Sequence, residues 1–396
     1  MLDKKKSHLA LLALAISAFA IGTTEFISVG LLPLIASDFK TPLETAGLTV
    51  SIYALGVTIG APVLTAITSK ISRKTLLLWI MIVFILGNSL AAIAPSIPVL
   101  LFARILSALS HGIFMSIGST IAADLVSKEK RAGAISIMFS GLTVATVTGV
   151  PLGTFLGQHF GWRLAFFAIV IIGIIALVAN TLVIPKELSK GKKATFREQY
   201  LLLTNKRLLL MFLITAFGYG GTFVVFTYLS PILHDITGFK ESTVAGILLL
   251  YGLAIAVGNL IGGRLANKKP LISLFFMFLV QAIILFALYF TLPYKLLGLI
   301  SIILMGLLAF MNVPGLQVYV VMLAERYVPK AVDVASALNI AAFNGGIAIG
   351  SYLGGSINQS LGLIHTAWIG GLMVLIAVGL TAISLIFENN KGIKEK

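Results

Sequence analysis

Three ionisable residues stand inside long apolar runs of this chain, away from its loops: Glu25, Arg104 and His111. Glu25 is the one carboxylate in the stretch SAFAIGTTEFISVGLLPL, Ser17 to Leu34. Arg104, Ser107 and His111 fall at i, i+3 and i+7, which puts them on one face of a helix, with the arginine and histidine roughly 10 Å apart along its axis. An acid, a cation and an imidazole are the groups from which a proton relay is built. A buried carboxyl beside a guanidinium is pulled between its charged and neutral forms, so such a site can exchange a proton in the physiological range. At the centre of a membrane helix a carboxylate costs roughly 2.5–3.5 kcal/mol, which points to a use. Glu25, Arg104 and His111 are therefore the candidate proton-coupling residues. The inert alternatives are a carboxyl held neutral by its neighbours, an arginine that snorkels to the outer interface, and a histidine that only packs and hydrogen-bonds.

The elements that must carry these residues follow from composition. The 396 residues are 58% hydrophobic and 11% charged, more apolar side chain than a soluble core of this size can hide. Apolar runs of about 20 residues can span a bilayer, and twelve are readable, at about 9–36, 44–69, 75–95, 97–124, 132–158, 163–184, 208–235, 242–266, 271–292, 295–323, 332–359 and 363–387. The first follows Lys4, Lys5 and Lys6 like a signal peptide, but it is too long and lacks a small-residue cleavage pattern, so it is expected to be a retained helix.

A net charge of +15 would suit a nucleic-acid binder, but the placement of the charges argues for topology instead. With the N-terminus in the cytoplasm, 24 of the 29 lysines and arginines lie inside, while Lys40, Arg163, Lys240 and Lys295 lie outside and Arg104 within a span. This positive-inside bias predicts cytoplasmic termini in a multi-pass plasma-membrane protein. The absence of cysteine leaves neither disulfides nor thiolate metal sites, and no metal is expected.

One long polar stretch, PKELSKGKKATFREQYLLLTNKR, Pro185 to Arg207, divides the runs six and six. The expected organisation is an N-terminal half at 1–185, a cytoplasmic linker at 186–207 and a C-terminal half at 208–396. The halves echo each other 198 residues apart: Pro33 with Pro231, Tyr53 with Tyr251, Gly60 with Gly258, Lys70 with Lys268. At 197 residues, Gly149, Gly153 and Gly157 match Gly346, Gly350 and Gly354. An even number of helices per half gives parallel repeats, with a binding site expected between them near the midplane. The four-residue glycine spacing lets helices approach closely in lipid; its alternative reading is a moving interface between halves.

Candidate solute contacts come from the seventh run, FGYGGTFVVFTYLSP, where Phe217, Tyr219, Phe223, Phe226 and Tyr228 could line an aromatic pocket. Asn312, Gln317 and Asn344 could add hydrogen bonds from later helices. The plainer alternative is that these rings pack or face lipid.

The stretches TTEFISVGLLPLIASDF and ARILSALSHGIFMSIGSTIAADLV, with GVPLGTFLGQHFGWR from Gly149 to Arg163, make the chain resemble a major facilitator superfamily transporter over nearly its whole length. More narrowly it resembles the twelve-helix drug:proton antiporters, especially AraJ-like and sugar- or purine-efflux-like members. The resemblance implies an all-α membrane protein of twelve transmembrane helices in two parallel six-helix repeats, the major facilitator fold. In the fifth helix the family's adjacent Gly-Pro is here Gly149-Val150-Pro151. The loop after helix two, usually G-x-L-x-D-R-x-G-R-K, reads TAITSKISRK: Lys70, Arg73 and Lys74 keep the basic part, while Ser69 replaces the acid, so a latch through that acid is not expected. The resemblance assigns conformational roles to Lys70, Arg73, Lys74, Gly149, Pro151 and Gly153; for the basic residues, topology signals are the alternative.

The function expected is proton-coupled efflux of small, largely apolar or amphiphilic solutes, multidrug-type, by alternating access. It needs no cofactor beyond a proton gradient, and its partners are a small-molecule substrate, protons and the lipid bilayer, with the chain acting as a monomer. A sugar or nucleoside facilitator or exporter is the alternative. An enzyme is not expected, since nucleotide-loop, H-E-x-x-H and G-x-S-x-G patterns are missing and the five histidines are scattered. A sensor would need an output domain, for which the loops are too short.

Overall fold

The computed structural model describes residues 4–68, 71–127, 130–185, 188, 196–266 and 269–392. Among them there is no strand, and twelve helices are long and apolar enough to cross a membrane. These are α1 (Lys6–Asp38), α2 (Leu43–Leu64), α3 (Arg73–Ala92), α4 (Ile97–Asp124), α5 (Gly133–Phe160), α6 (Trp162–Val183), α7 (Lys206–Phe226), α8 (Glu241–Ala266), α9 (Pro270–Thr291), α10 (Lys295–Tyr327), α11 (Val334–Ser360) and α12 (Leu363–Glu388). Helices suit lipid because they satisfy their backbone polar groups internally. The surface agrees: Trp79, Leu182, Leu260 and Phe290 are 60–77% exposed, whereas Glu25, Arg104, Asn180, Gln281 and Asn312 are buried. Apolar outside and polar inside is the pattern of a chain solvated by lipid.

Contacts group the chain into two units, Met1–Lys193 and Ala194–Lys396. Of the linker expected at 186–207, residues 186–187 and 189–195 lie outside the described residues. Its later part is not loop but a short helix, Phe196–Thr204, with Leu202 buried. Asn205 then starts α7 by accepting hydrogen bonds at its side-chain oxygen from the N–H groups of Arg207 and Leu208.

Prolines interrupt the helices where side chains need re-aiming. In α5 a π-helical turn, Ala145–Gly149, precedes Pro151; proline has no N–H for the regular ladder, and the wider turn accommodates the loss. In α10 the helix stops at Ala309 and restarts at Val313, with Pro314 in the first turn of the new segment. Asn312 therefore sits in a break rather than on a continuous helix. Gly161, at φ 90°, and Gly362, at φ 99°, make the sharp turns into α6 and α12, where a side chain would be strained.

The glycine stripes serve close approach inside each unit. A Cβ at Gly149, Gly153 or Gly157 would strike Thr23, Ile27 or Leu31 of α1, and one at Gly346, Gly350 or Gly354 would strike the α7 carbonyls of Ala216, Gly220 or Val224. Gly60 meets Leu109, and 198 residues later Gly258 meets Leu307, so α2 with α4 and α8 with α10 pack in the same register. Gly258→Val would force α8 off the Leu307 carbonyl, an overpacking cost of about 1–3 kcal/mol or more. It is expected to lower the melting temperature in detergent and the yield of monodisperse protein. Gly246→Ala, whose Cβ meets nothing within 4 Å, is expected to leave both unchanged. Equal behaviour of the two variants on size-exclusion melting would contradict this packing.

Candidate functional site

In the first unit, α1, α2 and α4 bring the ionisable residues together. The close fit of α2 on α4 comes from small residues: a Cβ at Gly56 would lie 2.8 Å from Ala108, and one at Gly112 would lie 2.8 Å from the Ala61 nitrogen. Arg104, 1% exposed, does not snorkel. Its Nη1 donates to the Thr24 carbonyl at 2.7 Å, Nη2 to the Glu25 carbonyl at 3.2 Å and Nε to the Thr49 carbonyl at 3.0 Å. Its guanidinium also lies 4.1 Å from the centre of the Tyr53 ring. The Tyr53 hydroxyl is 3.2 Å from His111 Nδ1, so arginine, tyrosine and histidine form one chain of contacts.

Glu25 is also buried, at 7% exposure. The arginine reaches its main-chain carbonyl, however, and not its acid. Among the described residues the Glu25 carboxyl makes no hydrogen bond or salt bridge. Nearby in sequence, Thr23 Oγ1 and Ser28 Oγ are likewise buried without a partner among those residues. Thr24 is engaged: its hydroxyl bonds to Asn88 Oδ1 at 3.2 Å and to Ala20 O at 3.1 Å. The acid is thus left available while its flanking backbone is held.

In the second unit the aromatic residues split. Tyr219, Phe223 and Phe226 share one face of α7 and continue through Tyr251 of α8. Ring centres are 5.1 Å apart between Tyr219 and Phe223, 5.3 Å between Phe223 and Phe226, and 5.1 Å between Phe226 and Tyr251, the last pair stacked at 13°. Phe310 and Phe343 meet Tyr219 edge-on. Phe217 and Tyr228, expected in the same pocket, lie elsewhere: Phe217 packs with Val224, Ile357 and Met373, and the Tyr228 hydroxyl donates to the Ser351 carbonyl at 3.2 Å. Both depart from the i, i+4, i+7 face that Tyr219, Phe223 and Phe226 occupy.

The three amides also fall apart. Asn312 Nδ2 donates to Gln281 Oε1 at 3.1 Å, and Gln281 in turn donates to Thr222, on the aromatic face of α7. Gln317 belongs to a separate network, Thr215–Asn339–Gln317–Ser336. Asn344 donates to Ile340 O of its own helix, leaving Oδ1 buried without a partner among the described residues. Only Asn312 joins the aromatic face as expected. Tyr53, Gln281 and Asn339 carry parts of these networks that the residue types alone did not single out. Tyr53 had a signal, its match to Tyr251 across the repeat.

At the start of α3, Arg73 pairs with Asp124 of α4 at 2.5 Å, and Lys74 donates to the carbonyls of Thr181 and Ile184 at the end of α6, at 2.8 and 2.5 Å. The ion pair at this helix end is made with Asp124 of α4. Cations at a helix C-terminus also match its dipole. Lys70 lies outside the described residues. Among the described residues, no three acids or histidines gather as a metal ion would require.

Comparison with known proteins agrees with this architecture. The family model described as Major Facilitator Superfamily matches residues 14–326. The chain is 70% identical over 389 residues to the uncharacterized MFS-type transporter YtbD of Bacillus subtilis, covering 98% of each chain. It is 38% identical over 380 residues to the inner membrane transport protein YdhP of Escherichia coli, covering 96% of each. Among solved structures, a bacterial homologue of the human lysosomal transporter Spinster superposes with a TM-score of 0.76 at 17% identity, covering 97% of each chain. Two six-span units, inward polar residues and a match across most of the chain define an integral, multi-pass membrane transporter. The chain belongs to the Major Facilitator Superfamily, whose members work by alternating access.

Proposed function

We propose that this transporter exports a small, largely apolar or amphiphilic solute in exchange for protons, in the manner of the twelve-helix drug:proton antiporters that its first, fourth and fifth helices resemble. The observation that carries the reading is Glu25: a carboxyl buried in a span, with no hydrogen bond or salt bridge among the described residues, beside an arginine committed to main-chain carbonyls. An acid so placed is held in neither protonation state by an ion pair. Glu25 releases its proton toward the cytoplasm as solute is captured, and regains one from outside as solute leaves. Arg104 and His111 complete the coupling site, and the aromatic face of α7 with Asn312 takes the solute. Arg73 and Lys74, with Gly149, Pro151 and Gly153, tie helix ends and helix faces together as the conformation changes. One charge moved through 100 mV supplies about 2.3 kcal/mol, enough for a useful gradient without a nucleotide.

The test is solute uptake into inverted membrane vesicles across a solute panel, with an imposed pH gradient and with an uncoupler. Gradient-driven accumulation that the uncoupler abolishes is expected. Equilibration unaffected by the uncoupler would instead indicate a sugar or nucleoside facilitator.

We further propose a monomer in the plasma membrane, with both termini and the linker placed in the cytoplasm on the strength of the lysine and arginine asymmetry alone. Because the chain has no cysteine, single substitutions report topology cleanly. In intact cells an impermeant maleimide is expected to label Lys40→Cys and Lys240→Cys but not Lys130→Cys. The reverse pattern would overturn the orientation.

A further inference from the structure

The arginine–tyrosine–histidine chain of the first unit has a counterpart in the second, and the two differ in what the tyrosine hydroxyl meets. Positions 198 residues apart make matching contacts: Gly60 lies against Leu109 as Gly258 lies against Leu307, and Ala108 packs with Tyr53 as Gly306 packs against the Tyr251 ring. At that spacing Glu25 becomes Phe223, Ser28 becomes Phe226, Arg104 becomes Ile302 and His111 becomes Ala309. The acid, the arginine and the histidine of the first site are each replaced by an apolar residue, while the tyrosine is kept. The guanidinium that covers Tyr53 gives way to the stacked ring of Phe226 on Tyr251.

The hydroxyl loses its partner in the exchange. Tyr53 meets His111, but the position equivalent to His111 is Ala309, whose side chain has no polar atom. Tyr251 is 2% exposed, and its hydroxyl has no hydrogen-bond partner among the described residues. Three residues beyond Ala309, Asn312 is fully buried; its Nδ2 donates to Gln281, while its Oδ1 is also unpartnered among those residues. Buried donors and acceptors are rarely left unpaired, and each such pair calls for an explanation.

We propose that Tyr251 is a solute-contacting residue of the second unit, its hydroxyl donating to an acceptor on a neutral, planar aryl solute while Asn312 Oδ1 accepts from a donor on the same solute. Phe226 and Phe223 cover the apolar faces of that solute. No ionisable side chain stands at the positions equivalent to Glu25, Arg104 and His111, so an ionised solute would be desolvated there without compensation. The inference rests on assigning the α7 aromatic face to the solute, and narrows the solute to neutral aryl amides and their like.

Benzanilide, a neutral two-ring amide, and trans-stilbene, its hydrocarbon isostere, are suitable probes. Their binding is measured on the purified full chain in nanodiscs with no gradient, so the result is independent of proton coupling. The wild type is expected to bind benzanilide more tightly than stilbene. Tyr251→Phe is expected to weaken benzanilide about tenfold, the scale of one lost hydrogen bond, and to leave stilbene unchanged. Because that substitution removes only an unpaired hydroxyl, the unliganded variant should melt at or above the wild-type temperature. Four results would overturn the proposal: no benzanilide binding to the wild type, unchanged benzanilide affinity in the variant, an equal loss for both probes, or a lowered melting temperature without ligand. Gradient-driven export could fail or succeed separately, and would then bear on Glu25 alone.

Discussion

Glu25→Gln is expected to abolish uphill transport while leaving the protein folded and inserted. The amide keeps the size and hydrogen-bonding capacity of the acid but cannot ionise. Because the Glu25 carboxyl has no hydrogen bond or salt bridge among the described residues, the substitution breaks neither, and the melting temperature should stay near wild type. A pH difference of one unit is worth about 1.4 kcal/mol, or tenfold accumulation for one proton per solute. The variant should lose that accumulation entirely, down to the level seen with uncoupler. Downhill exchange of a neutral solute is expected to survive. Normal pumping by the Gln variant against a gradient would make the acid structural.

The second large effect is expected at Arg104, and it is of the opposite kind. Its guanidinium binds the carbonyls of Thr24, Glu25 and Thr49, joining α1 and α2 to α4, and lies over Tyr53. Lysine keeps the charge but has neither the planar fork nor the reach to serve both helices. Those carbonyls keep their own helical N–H partners, so what Arg104→Lys loses is hydrogen bonds from a buried charge, each worth about 1.5–3 kcal/mol; several kcal/mol of stability should go, as well as transport. The measurement is thermal unfolding followed by size exclusion, alongside vesicle uptake. An Arg104→Lys protein that melts and pumps like the wild type would show that these contacts hold nothing in place. Glu25 and Arg104 are thus separable: one variant is stable and inactive, the other unstable and inactive.

How far these residues were legible in the sequence depends on the physics of each signal. The twelve spans and the two-unit repeat follow from long-range hydropathy and residue identity at a constant offset, neither of which depends on side-chain direction. The shared face of Arg104 and His111 was also readable, because α4 is unbroken between them and helical spacing applies. In α10 residue type alone points Asn312 and Gln317 alike toward the solute. Five positions apart, they lie about 140° from each other around the helix and enter different networks. Arg73 and Asp124 are 51 positions apart, a pairing no local pattern reveals. The glycine stripes announced close helix contact but not the partner helix, which is α1 for one and α7 for the other. Tyr53 was marked only as half of a repeat identity; its place between Arg104 and His111 needed three helices in position.

Proton release on solute binding measures the role of Glu25 most directly. The purified wild type and Glu25→Gln proteins would be mixed, in weak buffer with a pH-sensitive dye, with the solute that accumulates best in the vesicle panel. A proton is expected to be released on binding to the wild type and none from the variant, at equal occupancy. Equal release from both proteins would place the coupling proton on another group and contradict the assignment of Glu25.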